Sequence, residues 1–312
     1  MHQMLDLTVP STVPGRSLHL FRCIPDGEIR AILQLSHGMV EFIDRYKPLA
    51  EYLAEQGILV TGHDHLGHGA SIRTREDYGY FAEPDGNRAV LEDLHSITVL
   101  TKKLYPGVPY FLLGHSMGSF YARQYIAEYG HELAGAILMG TGFQPKALVQ
   151  FAKGLCRVMA VFRGWHYRSS LIPRLSFLGY NRGLEGRTNS DWLNRDQAEV
   201  DKYLADERCT FTFPLNAYYS MFTGILRLYD TDFIAQTPQR LPLLFLAGDA
   251  DPVGERGAAV KRAVKSLQDV GVENIQLKLY HGARHELLME TNRQEVFADI
   301  AGWITRRVPT AR

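Results

Sequence analysis

The 312-residue chain has only three cysteines and no surplus of either charge, with 34 basic against 34 acidic residues. Cys23, Cys156 and Cys209 are odd in number, far apart and never spaced as C-x-x-C. That excludes a disulfide framework and a cysteine-based zinc site, and it fits a reducing compartment. Zero net charge removes any general attraction to nucleic acid or anionic membrane, so charge effects must be local. The basic residues are scattered among acids, which gives nucleic-acid binding no support. No run reaches the roughly 18 uninterrupted apolar residues of a membrane span. The opening MHQMLDLTVP lacks the basic start, apolar core and small-residue cleavage site of a signal peptide. The expected location is cytoplasmic.

What is present is an ordinary globular composition, 46% hydrophobic and 22% charged, which excludes intrinsic disorder. Short apolar runs bounded by Gly, Pro or Asp read as strands at Ser17–Ile24, Arg30–Ser36, Ile58–His63, Tyr110–Gly114, Ala136–Met139, Leu243–Leu246 and Ile275–Tyr280. Between them the spacing predicts helices over Ile43–Gln56, Gly86–Leu104, Met117–Tyr129, Glu255–Asp269 and Met289–Arg306. Strands separated by helices of this length predict an α/β fold, with a mostly parallel central sheet flanked by helices. The first strands, joined by short turns, are expected to form an antiparallel edge.

The rhythm breaks from about Gln144 to Pro238, where helical pattern persists without a convincing parallel strand. In Ala147–Phe162, residues Leu148, Phe151, Leu155, Met159 and Phe162 form an apolar stripe, and Phe211–Tyr229 is dense in aromatics. We expect residues 144–238 to be an inserted helical cap over the strand ends, with 1–143 and 239–312 forming the core.

The chemistry centres on Gly114-His115-Ser116-Met117-Gly118, a G-x-S-x-G that follows a buried-strand run and opens a helix. A serine nucleophile needs its hydroxyl held out of the sheet on a sharp turn, and flanking glycines leave room for that turn. It also needs a histidine base and a carboxylate to fix the base's tautomer. The next two strands end in Gly248-Asp249-Ala250-Asp251 and in His281-Gly282-Ala283-Arg284-His285. Asp251 and His285 are assigned as the partners of Ser116, with Asp249 and His281 as rivals. Asp249 reads alternatively as a turn-capping aspartate, and His281 as a locally bonded ring at the strand end. Backbone amides of Met117 and Met39 are assigned to an oxyanion hole, Met39 lying in the loop after Arg30–Ser36.

These pieces resemble the α/β-hydrolase superfamily, and within it the monoacylglycerol lipase and lysophospholipase-like branch. The resemblance rests on His37-Gly38-x-x-Glu41-x-x-x-Arg45-Tyr46, Asp64-x-x-Gly67-His68-Gly69-x-Ser71, Gly114-His115-Ser116-Met117-Gly118, Gly248-x-x-Asp251 and His285. It implies an α/β-hydrolase fold and an ester hydrolase that uses no metal or organic cofactor. It further implies that Glu41, Arg45 and His115 line the polar, alcohol end of the substrate site. The cap would supply an apolar acyl channel and contact membranes peripherally. The chain departs from the pattern at Arg284, where an aromatic is common, and at Pro252-Val253-Gly254 after the acid. No cap motif can be matched residue by residue.

Two other signals carry less weight. His63-Asp64-His65-Leu66-Gly67-His68 offers ligand types for a metal, but too few histidines share a strand face to close a site. Tyr218, Tyr219, Met221, Phe222, Ile225 and Leu226 read as acyl-pocket lining or as packing within the cap. The expected substrate is a small-molecule acyl ester, monoacylglycerol or lysophospholipid. The alternatives are a proline-iminopeptidase-type aminopeptidase, an acyl thioesterase and a non-catalytic ligand-binding protein of the same fold.

Overall fold

The computed structural model describes residues 2–308. Its sheet has eight strands in the order β1-β2-β4-β3-β5-β6-β7-β8. They are β1 (His2–Pro10), β2 (Ser17–Pro25), β3 (Ala31–Ser36), β4 (Ile58–His63), β5 (Tyr110–His115), β6 (Gly135–Met139), β7 (Leu243–Gly248) and β8 (Ile275–Tyr280). From β4 through β8 across the sheet every neighbouring pair is parallel. Strands β3 to β7 are buried along their whole length, which explains why they read as continuous apolar runs rather than alternating ones.

The antiparallel edge is present, but its pairing differs from the expectation. β2 pairs with β1 on one side and β4 on the other, and β3 is not its neighbour. β1 escapes the sequence reading because it is an edge strand with a half-exposed, alternating pattern that includes Gln3, Asp6 and Thr8.

The helices are α1 (Lys47–Ala54), α2 (Gly86–Leu104), α3 (Met117–Tyr129), α4 (Lys146–Arg163), α5 (Leu171–Ser176), α6 (Gln197–Ala205), α7 (Leu215–Arg227), α8 (Thr231–Ile234), α9 (Ala258–Gln268) and α10 (Arg293–Thr305). α2, α3 and α9 bury one face of the sheet, and α1 and α10 bury the other. This is the α/β-hydrolase architecture. Helices α4 to α8 all lie between β6 and β7, and no strand occurs there among the described residues.

Within that inserted stretch α7 buries Tyr218, Phe222 and Ile225, which join the core on the α2–α3 face. α4 turns Val149, Cys156 and Ala160 inward against it. The apolar stripe expected on α4 is therefore divided. Leu155 and Met159 pack partly inward, whereas Leu148, Phe151 and Phe162 face solvent together with Val158 and Val161. Leu171, Leu175 and Leu178 extend the list of exposed apolar residues around α5. Among the described residues no helix is long and apolar enough to cross a membrane.

Candidate active site

The direction of chain connection reverses between β3 and β5. From β3 the chain crosses to β4 on one side, and from β5 it crosses to β6 on the other. A crevice opens at such a point beyond the carboxyl ends of the strands. Parallel pairing sets Ser36 beside Gly114, so the loop after β3 and the turn after β5 meet in that crevice.

Ser116 occupies the turn with φ of 51°, a left-handed conformation that ordinary residues avoid. Its amide is held by the Met139 carbonyl at 2.9 Å, and the Ser119 hydroxyl donates to its carbonyl at 2.5 Å. Both flanking glycines are sterically required. A Cβ on Gly114 would collide with the Gly118 carbonyl, and one on Gly118 with the carbonyls of Ser36 and His37. Met117 starts α3 immediately after Ser116. Among the described residues neither the Met117 nor the Met39 amide donates to another protein atom. Ser116 is partly exposed in an otherwise buried segment.

The structure brings Asp251 and His285 together. His285 Nδ1 donates to Asp251 Oδ2 at 3.0 Å, and the two side chains are 2% and 0% exposed. Asp251 is fixed in turn by the Val253 amide at 2.8 Å. The rivals Asp249 and His281 pair with each other at 3.0 Å, on the surface, with the His281 side chain wholly exposed. The His285 loop crosses the ends of β7 and β6 to approach the crevice, and two glycines permit it. A Cβ on Gly248 would strike the Ala283 backbone, and one on Gly140 would sit 3.1 Å from His285 Cε1 and 3.2 Å from His115 Cδ2.

Glu41, Arg45 and His115 form one closed network. Glu41 Oε1 accepts from the Gly38 amide at 2.5 Å and the Tyr46 hydroxyl at 2.9 Å, and lies 3.0 Å from His115 Nδ1. Arg45 reaches Glu41 Oε2 at 3.0 Å and clamps both oxygens of Glu286 at 2.6 and 2.9 Å. His115 Nε2 points at the His285 carbonyl, 3.3 Å away. Both ring nitrogens of His115 thus face acceptors, which suits the doubly protonated form. Burial opposes a charge on His115, but the Glu41 hydrogen bond and charge outweigh it and raise its pKa. Burial likewise works against ionised Glu41, and the His115 bond and Arg45 charge reverse that and hold the carboxyl well below its usual range. The network packs behind the nucleophile turn and ties Gly38, His115 and the residue after His285 into one unit.

The loop carrying Met39 is braced by histidines. His37 Nδ1 donates to the Gly38 carbonyl at 2.8 Å, and its Nε2 accepts from the His65 amide at 2.9 Å. His65 bonds Ser36 Oγ at 3.0 Å. Tyr203, from α6, donates to the Val40 carbonyl at 3.0 Å. His63 and His65 lie with ring centroids 5.0 Å apart. Burial pushes His63 and His68 down to about 3 and depresses His37 and His65 as well, so all four rings are neutral. Asp64, the carboxylate in that run, accepts from the Ile43 and Ala70 amides and from His19. This stretch is therefore a packed wall beneath the Met39 loop. A different trio, Asp6, His19 and Asp44, has ligand atoms within 4.8 Å of one another, but Lys47 Nζ already lies 3.3 and 3.0 Å from its two carboxylates.

Sequence reasoning missed Glu286, Trp192 and Tyr203. Glu286 stands beside His285 in the chain, but its burial depends on Arg45, 241 residues away. Trp192 and Tyr203 belong to the inserted stretch, where no local pattern indicates which side chains turn toward the site.

The family described as Serine aminopeptidase, S33 matches residues 27–292. The chain is similar to monoglyceride lipase of Homo sapiens, 31% identical over 299 residues that cover 92% of this chain and 86% of the relative. It is similar to monoacylglycerol lipase of Mycolicibacterium smegmatis at 28% identity, with 90% of each chain covered. Among solved structures it resembles a carboxyl esterase from Bacillus coagulans in complex with glycerol, at a TM-score of 0.89 and 26% identity, covering 99% of this chain and 100% of that one. A monoglyceride lipase of Saccharomyces cerevisiae shares the fold at a TM-score of 0.78 and 19% identity, over 99% of this chain and 96% of the other.

Proposed function

The chain belongs to the serine aminopeptidase S33 family of α/β-hydrolases, and on that footing we propose that it is a serine ester hydrolase releasing an acyl chain from a small polar alcohol. Monoacylglycerol and lysophospholipid are the leading substrates, since the relatives named above are lipases and an esterase. The observation that carries the reading is the buried His285–Asp251 pair at 3.0 Å, on the same sheet edge as a serine held at φ of 51°.

In this mechanism His285 takes the proton of Ser116 as Oγ attacks the ester carbonyl. Asp251 fixes the tautomer of His285 and stabilises the imidazolium. The Met39 and Met117 amides receive the oxyanion, each such donor contributing about 2.7–4 kcal/mol. The alcohol leaves with the proton from His285, and water activated by the same ring then hydrolyses the acyl-enzyme. Residues 144–238 act as the cap. The apolar residues exposed on α4 and around α5 give it a face suited to peripheral membrane contact. Three free, buried cysteines suit a cytoplasmic setting.

An aminopeptidase would need a carboxylate free to receive a substrate ammonium. Glu41 and Glu286 are instead engaged by Arg45, Tyr46 and His115, which favours esters.

The test is hydrolysis of p-nitrophenyl esters from C2 to C16 beside 1-monoacylglycerol, lysophospholipid, acyl-CoA and a proline arylamide, with Ser116→Ala as control. Glyceride turnover and an optimum at C8 or longer, lost in the variant, is the expected result. Activity confined to C2–C4 removes the lipid substrate and keeps the serine mechanism. Turnover of the arylamide or the thioester alone replaces the ester reading.

A further inference from the structure

The inserted stretch is fastened to the His285 loop by a strap of hydrogen bonds at residues 191–195. Arg284 Nη1 donates to the Asp191 and Asn194 carbonyls at 2.7 and 2.9 Å. The Glu286 amide donates to the Leu193 carbonyl at 2.8 Å, and Asn194 Nδ2 to the Glu286 carbonyl at 3.4 Å. Arg195 Nε meets Glu290 Oε2 at 2.9 Å, while the other oxygen of Glu290 accepts the Arg284 amide at 2.8 Å. Glu290 is fully buried while the Arg195 side chain stays 31% exposed, so this ion pair is screened from solvent and salt at its carboxylate end only. These bonds join the strap and the histidine loop into one hydrogen-bonded unit.

That strap carries Trp192. Its ring centroid lies 5.1 Å from that of His285, at an interplanar angle of 46°. On another side of His285 the His115 ring lies 4.9 Å away. Trp192 is itself held by Phe177, stacked at 5.7 Å, and Tyr180, edge-on at 5.1 Å. The Asp251 bond anchors one nitrogen of His285 but leaves the ring free to pivot about that bond. Flanking rings remove the pivot and keep Nε2 on the line of proton transfer.

We propose that Trp192 is a positioning residue for His285, mounted on a strap that belongs to the active site rather than to a moving cover. The proposal rests on the reading of His285 as the base acting on Ser116.

The experiment measures kcat and KM for p-nitrophenyl octanoate with Trp192→Leu, Trp192→Phe and Arg284→Met, each checked for native melting. The expected result is a kcat lowered roughly tenfold in Trp192→Leu with KM nearly unchanged. Trp192→Phe should recover most of that loss. Arg284→Met, which keeps the indole but loosens its mount, should lower kcat in the same sense. If the leucine variant fails to fold, the phenylalanine and methionine variants carry the test. A change in KM alone, a kcat within twofold of the parent in Trp192→Leu, or no recovery in Trp192→Phe overturns the proposal. Activity that survives Ser116→Ala and His285→Ala overturns the parent reading instead. Their inactivity beside an indifferent Trp192→Leu removes this inference alone.

Discussion

The Glu41 carboxylate lies 3.0 Å from Nδ1 of His115, and both side chains are nearly out of solvent, at 4% and 6% exposure. A buried pair in this position favours the charged form of the histidine before the nucleophile. Removing one partner leaves the other stranded. Glu41→Gln is therefore expected to destabilise the fold by about 3–5 kcal/mol, read from chemical denaturation. The sign with pH follows from the shifts. His115, raised in the folded state, contributes stability below its unfolded value of 6.5 and loses it as pH rises through the folded value. Glu41, depressed, contributes above its unfolded value of 4.5 and loses that as pH falls through the folded value. The variant should lose both dependences. An unchanged pH–stability curve in Glu41→Gln would show that the pair is not ionised.

The two carboxylates after β7 are separable by substitution. Asp251→Asn is expected to lower kcat about 10⁴-fold, because the amide holds His285 in the wrong tautomer. Asp249→Asn removes a surface contact to the exposed His281 and should leave kcat within about twofold, in line with surface substitutions costing little. Steady-state rates on one p-nitrophenyl ester suffice, and the reverse ranking would reassign the acid.

Gly118 leaves no room for a methyl group, since its Cβ would enter the carbonyls of Ser36 and His37. Those backbone atoms cannot rotate away as a side chain would. Gly118→Ala should either fail to accumulate as folded protein or shift α3 away from the Met39 loop, with loss of fluorophosphonate labelling at Ser116. A variant with native melting and normal labelling would contradict this close packing of Gly118 against the Ser36 and His37 carbonyls.

The outward face of α4 gives a prediction about interfaces rather than chemistry. Phe151 and Phe162 are 63% and 80% exposed. Replacing both with serine should weaken binding to anionic phosphatidylglycerol vesicles, measured by co-sedimentation, and slow hydrolysis of emulsified substrate. Turnover of soluble p-nitrophenyl butyrate should stay the same. Equal loss on both substrates would assign these residues to the cap's internal structure.

The core was legible because its signals are local. α2 and α3 run over the expected Gly86–Leu104 and Met117–Tyr129, and strands buried on both faces announce themselves as short apolar runs. The placement of Asp251 and His285 follows from the same logic, each standing just past the end of a strand. β1 was not legible, because an edge strand needs no continuous apolar run. Neither was the path from α5 to α6. There the structure depends on contacts such as Arg284 to Asp191 and Arg195 to Glu290, each joining positions more than ninety residues apart. A charged residue in such a stretch looks like any solvated surface residue until its partner is known. The α4 stripe shows the opposite failure, since apolar periodicity specifies a face but not whether that face meets protein or solvent.

The wall of neutral histidines beneath the Met39 loop sets a floor on the acidity the fold tolerates. His37, His63, His65 and His68 are all depressed by burial, so between their folded values and 6.5 the unfolded chain takes up protons that the native state refuses. Each such proton tilts the equilibrium toward unfolding by up to about 1.4 kcal/mol per pH unit. His19 and His115, both raised by neighbouring carboxylates, favour the folded state as pH falls toward 6.5, but they are two rings against four. Gentle acidification should thus melt the molecule in a steep, cooperative step whose proton uptake betrays how many imidazoles the wall had kept dry.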